Sequence, residues 1–180
     1  MRIPHSNRKC AIIVVDVQPA FLNERNAYIV KNILELLNSS RYDLYIEATF
    51  HAEKGSLWEI QQDWICPEGE KTKTVPELAE KLSKLNAIKV HKETKSAFKG
   101  NVNLSVVLKE AGIREIHVVG VDTNDCVLAT AYEAFDLGFI TYVIEECCQS
   151  SSSEKLHEYA IELLRGQNMT NNSVNDVGRK

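Results

Sequence analysis

The residues best suited to chemistry in this chain are Cys126, Asp16 and Lys92, each placed where a run of apolar residues gives out. Cys126 follows the run Ile116-His-Val-Val-Gly-Val121 after a short polar turn, and a helical stretch then runs on to Gly138. A thiol in the first turn of a helix meets free backbone N–H groups and a partial positive charge. Both favour thiolate over thiol and can hold a developing oxyanion. The plainer reading is a small buried cysteine that fills a strand–helix junction, since free Cys is among the most buried residue types.

A cysteine nucleophile also needs a base. Histidine usually serves, but only His51 and His91 stand near strand ends, and His91 would point to the opposite side from Lys92. Asp16 is the better candidate, because desolvation among apolar strand ends raises the pKa and basicity of a carboxylate. An ammonium from Lys92 nearby would oppose that shift and keep both groups charged and hydrogen-bonded. Taken singly, Asp16 also reads as a helix or turn cap and Lys92 as an exposed lysine.

Alternating elements must position these groups. Ala11–Asp16, Tyr42–Thr49, Ala87–His91, Ile116–Val121 and Phe139–Ile144 read as strands. Helical spacing covers Ala27–Leu37, Pro76–Leu85 with Pro near its first turn, and Leu104–Ala111 before Gly112. It also covers the stretch from about Asp125 to Gly138 and the segment Ser153–Arg165. Residues 50–73 form a long irregular insert carrying Trp58 and Trp64, of the kind that builds lids and pocket walls. The Asn-rich tail from Gly166 either frays or adds a short final strand around Ser173-Val174. Alternation of this kind predicts a three-layer α/β/α fold with a doubly wound parallel sheet. Ligands of such sheets bind outside the carboxyl ends of the strands, where Asp16, Lys92 and Cys126 all fall.

A chain of 180 residues suits a single α/β domain over 1–180. The net charge of −4, with scattered Lys and Arg, leaves no footprint for nucleic acid or anionic membrane. No apolar run approaches a bilayer span, and the Cys10–Val15 segment is too short for a signal sequence, so a soluble cytoplasmic protein is expected. Cysteines at 10, 66, 126, 147 and 148 are odd in number and include no Cys-x-x-Cys pair, against both a disulfide framework and a zinc ribbon. The adjacent Cys147 and Cys148 read as buried bystanders. Glycine-rich nucleotide loops, a Gly-x-Ser-x-Gly elbow and a His-Glu-x-x-His helix are all missing from the sequence.

Three separated motifs, Val15-Asp16-Val-Gln18-Pro-Ala-Phe21, Lys92-Glu-Thr-Lys-Ser96-Ala97-Phe98 and Gly120-Val-Asp-Thr123-Asn-Asp-Cys126-Val127, resemble the signatures of the isochorismatase-like cysteine hydrolases. Their order and strand context match as well, over roughly residues 10–165. The resemblance implies a parallel sheet of about six strands in the order 3-2-1-4-5-6. It implies an Asp–Lys–Cys triad on Asp16, Lys92 and Cys126, with the spacing from Ser96-Ala97-Phe98 selecting Lys92 over Lys95. A cis peptide between Val121 and Asp122 and an oxyanion hole from the backbone N–H groups of Asp122 and Cys126 are further implications. Gln18 and Phe21 would shape the pocket beside Asp16, with His51, Trp58, Phe98 and Asp125 as additional pocket residues. Relatives commonly self-associate, which implies a homo-oligomer.

Two departures bear on function. Nicotinamidase relatives hold a metal with an Asp and two His after the second strand, whereas this chain reads His51-Ala-Glu53 there. Two donors complete neither an octahedral nor a tetrahedral set, so no metal and no cofactor is expected. Asp125, directly before the cysteine, would raise the thiol pKa unless it meets a cation. It could also select an amine-bearing substrate, or simply sit in a helix first turn. The expected activity is metal-independent hydrolysis of an amide, ureido or imide bond in a small molecule through a thioester. The alternatives are an idle or thiol-regulatory scaffold of the same fold and, less favoured, a nicotinamidase or isochorismatase proper.

Overall fold

The computed structural model describes residues 3–4, 7–39, 42–65 and 67–173. Five strands, β1 (Cys10–Val15), β2 (Leu44–Phe50), β3 (Ile88–Lys92), β4 (Glu115–Gly120) and β5 (Ile140–Cys148), form one sheet in the order β3-β2-β1-β4-β5. Every pairing is parallel. The central strand explains its own sequence: Ala11 to Val15 are at most 1 % exposed, as a strand covered on both faces requires.

Among the described residues six α-helices connect or cover the strands: α1 (Tyr28–Ser39), α2 (Leu57–Gln62), α3 (Pro76–Lys84), α4 (Leu104–Glu110), α5 (Leu128–Asp136) and α6 (Glu154–Gly166). α1 buries Ile29, Val30, Ile33, Leu36 and Leu37, one stripe at helical spacing. α3 opens on Pro76, whose missing N–H costs nothing in a first turn, and buries Leu78 and Leu82. α4 is capped by Asn103, whose side chain accepts from the N–H of Val106. None of the described helices is long and apolar enough to cross a membrane.

Chain order determines where a ligand can enter. From β1 the chain moves to β2 and β3 on one side, then crosses back to place β4 and β5 on the other. The reversal lies between β1 and β4, and ligands of doubly wound sheets bind in the crevice outside the carboxyl ends of the strands at such a point. Gly120 closes the junction. Its φ is +122°, and a Cβ on it would stand 2.0 Å from the carbonyl oxygen of Val15. Val121 N–H donates to that same oxygen at 3.0 Å.

Three expectations change. Among the described residues the sheet has five strands, in the expected order, where about six were expected. Thr170 makes only an isolated parallel bridge to Val143, and Ser173 turns back to donate to the Thr170 carbonyl at 3.1 Å. Val174 lies outside the described residues. The insert after β2 is not wholly irregular, since it contains α2 and a 3-10 turn at Gly69–Thr72. Finally, β5 runs on to Cys148, with a register shift against β4 between Val118 and Gly120, and buries Cys147 and Cys148 completely.

Candidate active site

Asp16 is the first residue beyond β1, and there the backbone leaves the strand with φ +53°. Its N–H donates to Ala48 O at 2.9 Å and its carbonyl accepts from Gln18 N–H at 2.7 Å, which pins the turn against β2. Lys92 ends β3, two strands away, so its side chain must cross roughly 9–10 Å to reach the centre. A lysine stem has that reach. It passes over Phe50, its register partner on β2, with Nζ 5.3 Å from the ring centroid. Nζ then donates to Asp16 Oδ2 at 2.6 Å and to the Thr94 carbonyl at 3.0 Å, and stands 3.5 Å from Cys126 Sγ.

Cys126 comes from the far side of the crevice, in a wide π turn, Thr123–Val127, that precedes α5. In that turn the Asp122 carbonyl accepts from both Asp125 N–H at 3.0 Å and Val127 N–H at 3.2 Å. The peptide between Val121 and Asp122 is cis. The loop after β5 clasps the turn: Asp122 accepts from the Ser151 N–H and hydroxyl, both at 2.7 Å, and Thr123 N–H donates to Gln149 O at 3.2 Å. Asp16, Lys92 and Cys126, remote in sequence, thus meet with exposures of 1 %, 2 % and 7 %.

Burial dominates the electrostatics. It pushes the Asp16 carboxyl up, against the opposing pull of the Lys92 ammonium. Burial alone would lower Lys92, but the Asp16 carboxylate and Cys126 together hold its ammonium above the ordinary lysine value. The Cys126 thiol is pushed well up, by burial first and by Asp16 second, with Lys92 opposing. Burial beside a carboxylate thus works against the thiolate that a helix terminus would favour. Lys92 occupies Asp16 Oδ2, while Asp16 Oδ1 is buried with no hydrogen-bond partner among the described residues.

The remaining pocket residues fare differently. Gln18 is fully buried and fully used: its amide donates to Phe50 O at 2.9 Å and Thr72 O at 2.7 Å and accepts from Phe50 N–H at 2.7 Å. It fastens the insert to the end of β2 and has no donor left for a substrate. Phe21, Phe50, Trp58 and Trp64 form one aromatic cluster, with Phe21 stacked on Trp64 at 5.6 Å and Phe50 edge-on to Trp58 at 4.7 Å. Trp58 N–H is spent on Glu93 O at 2.8 Å, so its contribution is a wall beside Lys92. Phe98 turns away, stacked on Phe139, which precedes the opposite end of β5. It is held there because Ala97, its neighbour, donates its N–H to Thr130 on α5. His51 is exposed and lines cavities of about 640 and 740 Å³ that include none of the three central residues. Asp125 does meet a cation, pairing with Lys95, whose ammonium lies 5.0 Å over the Trp58 ring.

Reasoning from sequence missed Phe50, Thr94 and Lys95. Phe50 is legible in hindsight as the last residue of the apolar second strand. The Thr94 carbonyl left no signal, because a backbone acceptor is independent of residue type. After β2, no three-donor cluster that includes His51 or Glu53 is found among the described residues.

A family model described as the isochorismatase domain matches residues 10–174. The chain belongs to the isochorismatase family. An uncharacterized isochorismatase family protein PncA of Bacillus subtilis (strain 168) is 36% identical over 76 residues, 42% of this chain and 40% of that relative. The matched stretch therefore spans less than half of that relative's length. Two solved structures share the fold of this isochorismatase-family chain. The pyrazinamidase of Pyrococcus horikoshii in complex with zinc has a TM-score of 0.74 at 20% identity, covering 90% of this chain and 97% of that one. PnC1 from L. infantum in complex with nicotinate has a TM-score of 0.76 at 16% identity, with 94% and 95% covered.

Proposed function

We propose that this isochorismatase-family protein is a cysteine hydrolase that cleaves a C–N bond, in an amide, ureido or imide group of a small molecule. The observation that carries the reading is the single ammonium of Lys92 between Asp16 at 2.6 Å and Cys126 at 3.5 Å, with the second Asp16 oxygen buried and without a hydrogen-bond partner among the described residues. In the proposed reaction Asp16 is the group that takes the thiol proton. Burial raises the basicity of Asp16, as a general base requires.

In this mechanism Asp16 takes the Cys126 proton as sulfur attacks the carbonyl carbon. The tetrahedral oxyanion is held by the backbone N–H groups of Asp122 and Cys126. Asp16 then gives its proton to the leaving nitrogen, and the C–N bond breaks. Water, deprotonated by Asp16, attacks the thioester and releases the acid and the thiol. Lys92 holds the carboxylate in place throughout and stabilises charge. The proposed reaction is metal-independent. The names of the structural neighbours make nicotinamide and pyrazinamide the first amides to try, followed by N-carbamoyl compounds. Self-association into a homo-oligomer is part of the proposal.

The test is pH-resolved alkylation with iodoacetamide, read by intact mass and peptide mapping, alongside an amide screen. Selective labelling of Cys126 that rises with pH and changes in Asp16→Asn is expected, together with turnover abolished in Cys126→Ala. The burial of Cys126 favours a second reading, an idle scaffold. That reading gains if Cys126 labels no faster than the other cysteines and no amide is turned over.

A further inference from the structure

One cluster of buried polar groups lies at the amino-terminal edge of the sheet, opposite the triad. Glu115 and His117 stand two residues apart on β4, so their side chains share one face. Cys10 begins β1 and is the register partner of Glu115, which puts its side chain on that same face. The Cys10 sulfur, a Glu115 carboxylate oxygen and a His117 ring nitrogen all lie within 4.8 Å of one another. Glu115 and His117 are each 1 % exposed, while Cys10 is only partly buried and opens the cluster to solvent.

We propose that Cys10, Glu115 and His117 form a site for a borderline-soft divalent cation, zinc above all. The donor set is one sulfur, one nitrogen and one oxygen, the mixture zinc accepts, and water can enter past Cys10 as a fourth ligand. Thiolate and carboxylate together offset the charge of the ion. The surroundings fit a ligating histidine. Nδ1 of His117 lies 3.0 Å from the Tyr42 hydroxyl, and Nε2 faces Glu115 Oε1 at 3.0 Å. A ligating histidine hands its other nitrogen to such an orienting partner. Arg8 approaches the other carboxylate oxygen, Oε2, at 3.7 Å, which leaves Oε1 as the ligand atom.

The protons balance simply. In the metal-free protein His117 Nε2–H donates to Glu115 and Nδ1 accepts from Tyr42. On binding, the ring proton moves to Nδ1 and is donated to the Tyr42 oxygen, and Nε2 turns its lone pair to the ion. Cys10 loses its thiol proton to solvent. One divalent ion enters, one proton leaves, and nothing is oxidised or reduced. The site is structural, tying β1 to β4 at the end remote from the crevice, and it stands independently of the proposed hydrolysis.

The experiment uses full-length, tag-free protein stripped with a chelator. Zinc is titrated in competition with a chromophoric chelator, and cobalt(II) is added separately and followed by absorption. Expected are one equivalent of zinc and a thiolate-to-cobalt charge-transfer band that persists in Cys126→Ser and disappears in Cys10→Ser. Affinity should fall at least about tenfold in Glu115→Gln, a near-isosteric change that keeps the reading open if Cys10→Ser folds poorly. The proposal is overturned if wild type takes up no stoichiometric zinc, or if the band survives in Cys10→Ser. Either result would leave Tyr42, His117 and Glu115 as a hydrogen-bond relay complete without an ion.

Discussion

The Asp16–Lys92 pair allows the electrostatics of the site to be tested without a substrate. The two side chains are 2 % and 0 % exposed, and their charged atoms are 2.6 Å apart. Lys92→Met keeps the length of the stem over Phe50 and removes the ammonium. Breaking a buried pair from one side costs about 3–5 kcal/mol, because the surviving charge is stranded. Phe50 and Thr94 offer no compensating cation, so a value near 3 kcal/mol is expected at pH 7. Asp16→Asn strands the lysine in turn and costs a similar amount. The double variant carries no stranded charge and should recover most of the loss, giving a coupling of about 2 kcal/mol or more.

The sign with pH is fixed. Removing Lys92 removes the group that opposes burial at Asp16, so the folded-state carboxyl rises further above its unfolded value. A folded pKa above the unfolded one gives stability that is present below the unfolded value and lost as pH rises through the folded value. The penalty of Lys92→Met should therefore be small near pH 4 and grow towards neutrality. Urea unfolding of the four proteins at several pH values measures this directly, provided the slopes agree. A coupling near zero, or a penalty that shrinks as pH rises, would show that water screens the pair and that the account of Asp16 as a desolvated base is wrong.

Further outcomes concern the scaffold around the pair. Gly120→Ala should destabilise by about 3 kcal/mol or more, since its Cβ must displace the carbonyl of the central strand at a left-handed φ, and thermal unfolding would show it. Gln18→Leu deletes three hydrogen bonds between β1, β2 and the insert, worth about 1 kcal/mol each, and hydrogen exchange should quicken around residues 64–73. Asp125→Asn removes a charge that raises the Cys126 thiol and should speed its alkylation about two- to threefold. Lys95→Gln removes the counter-charge of Asp125 and should slow alkylation by a comparable factor.

Much of this was legible in the chain. Ala11–Val15 and Ile116–Val121 announce buried parallel strands by composition alone, and the strand ends then nominate Asp16, Lys92 and Cys126. What escaped depends on packing between distant segments. Gln18 read as a pocket residue because its motif sits beside Asp16, but the orphan carbonyls of Phe50 and Thr72 consume its amide. Phe98 read likewise, yet the tether from Ala97 to Thr130 swings it away. A local rule about helix termini says nothing of the burial that pushes the Cys126 thiol up, which only the assembled fold supplies. The cluster of Cys10, Glu115 and His117 spans 105 residues of chain between its strands and becomes visible only through the register of β1 with β4.

The position of Lys92 on the outermost strand has a consequence for how this protein would fail. β3 pairs with β2 alone, so fraying of that edge removes the ammonium while β1, β4 and their helices stay intact. Partial openings of this kind lie below the global free energy of unfolding and need not register in a spectroscopic melting curve. The reactive centre and the body of the fold would then have separate stabilities. Mild denaturant or heat would silence the centre first and reversibly, and the chain would regain it by re-zipping five residues instead of refolding.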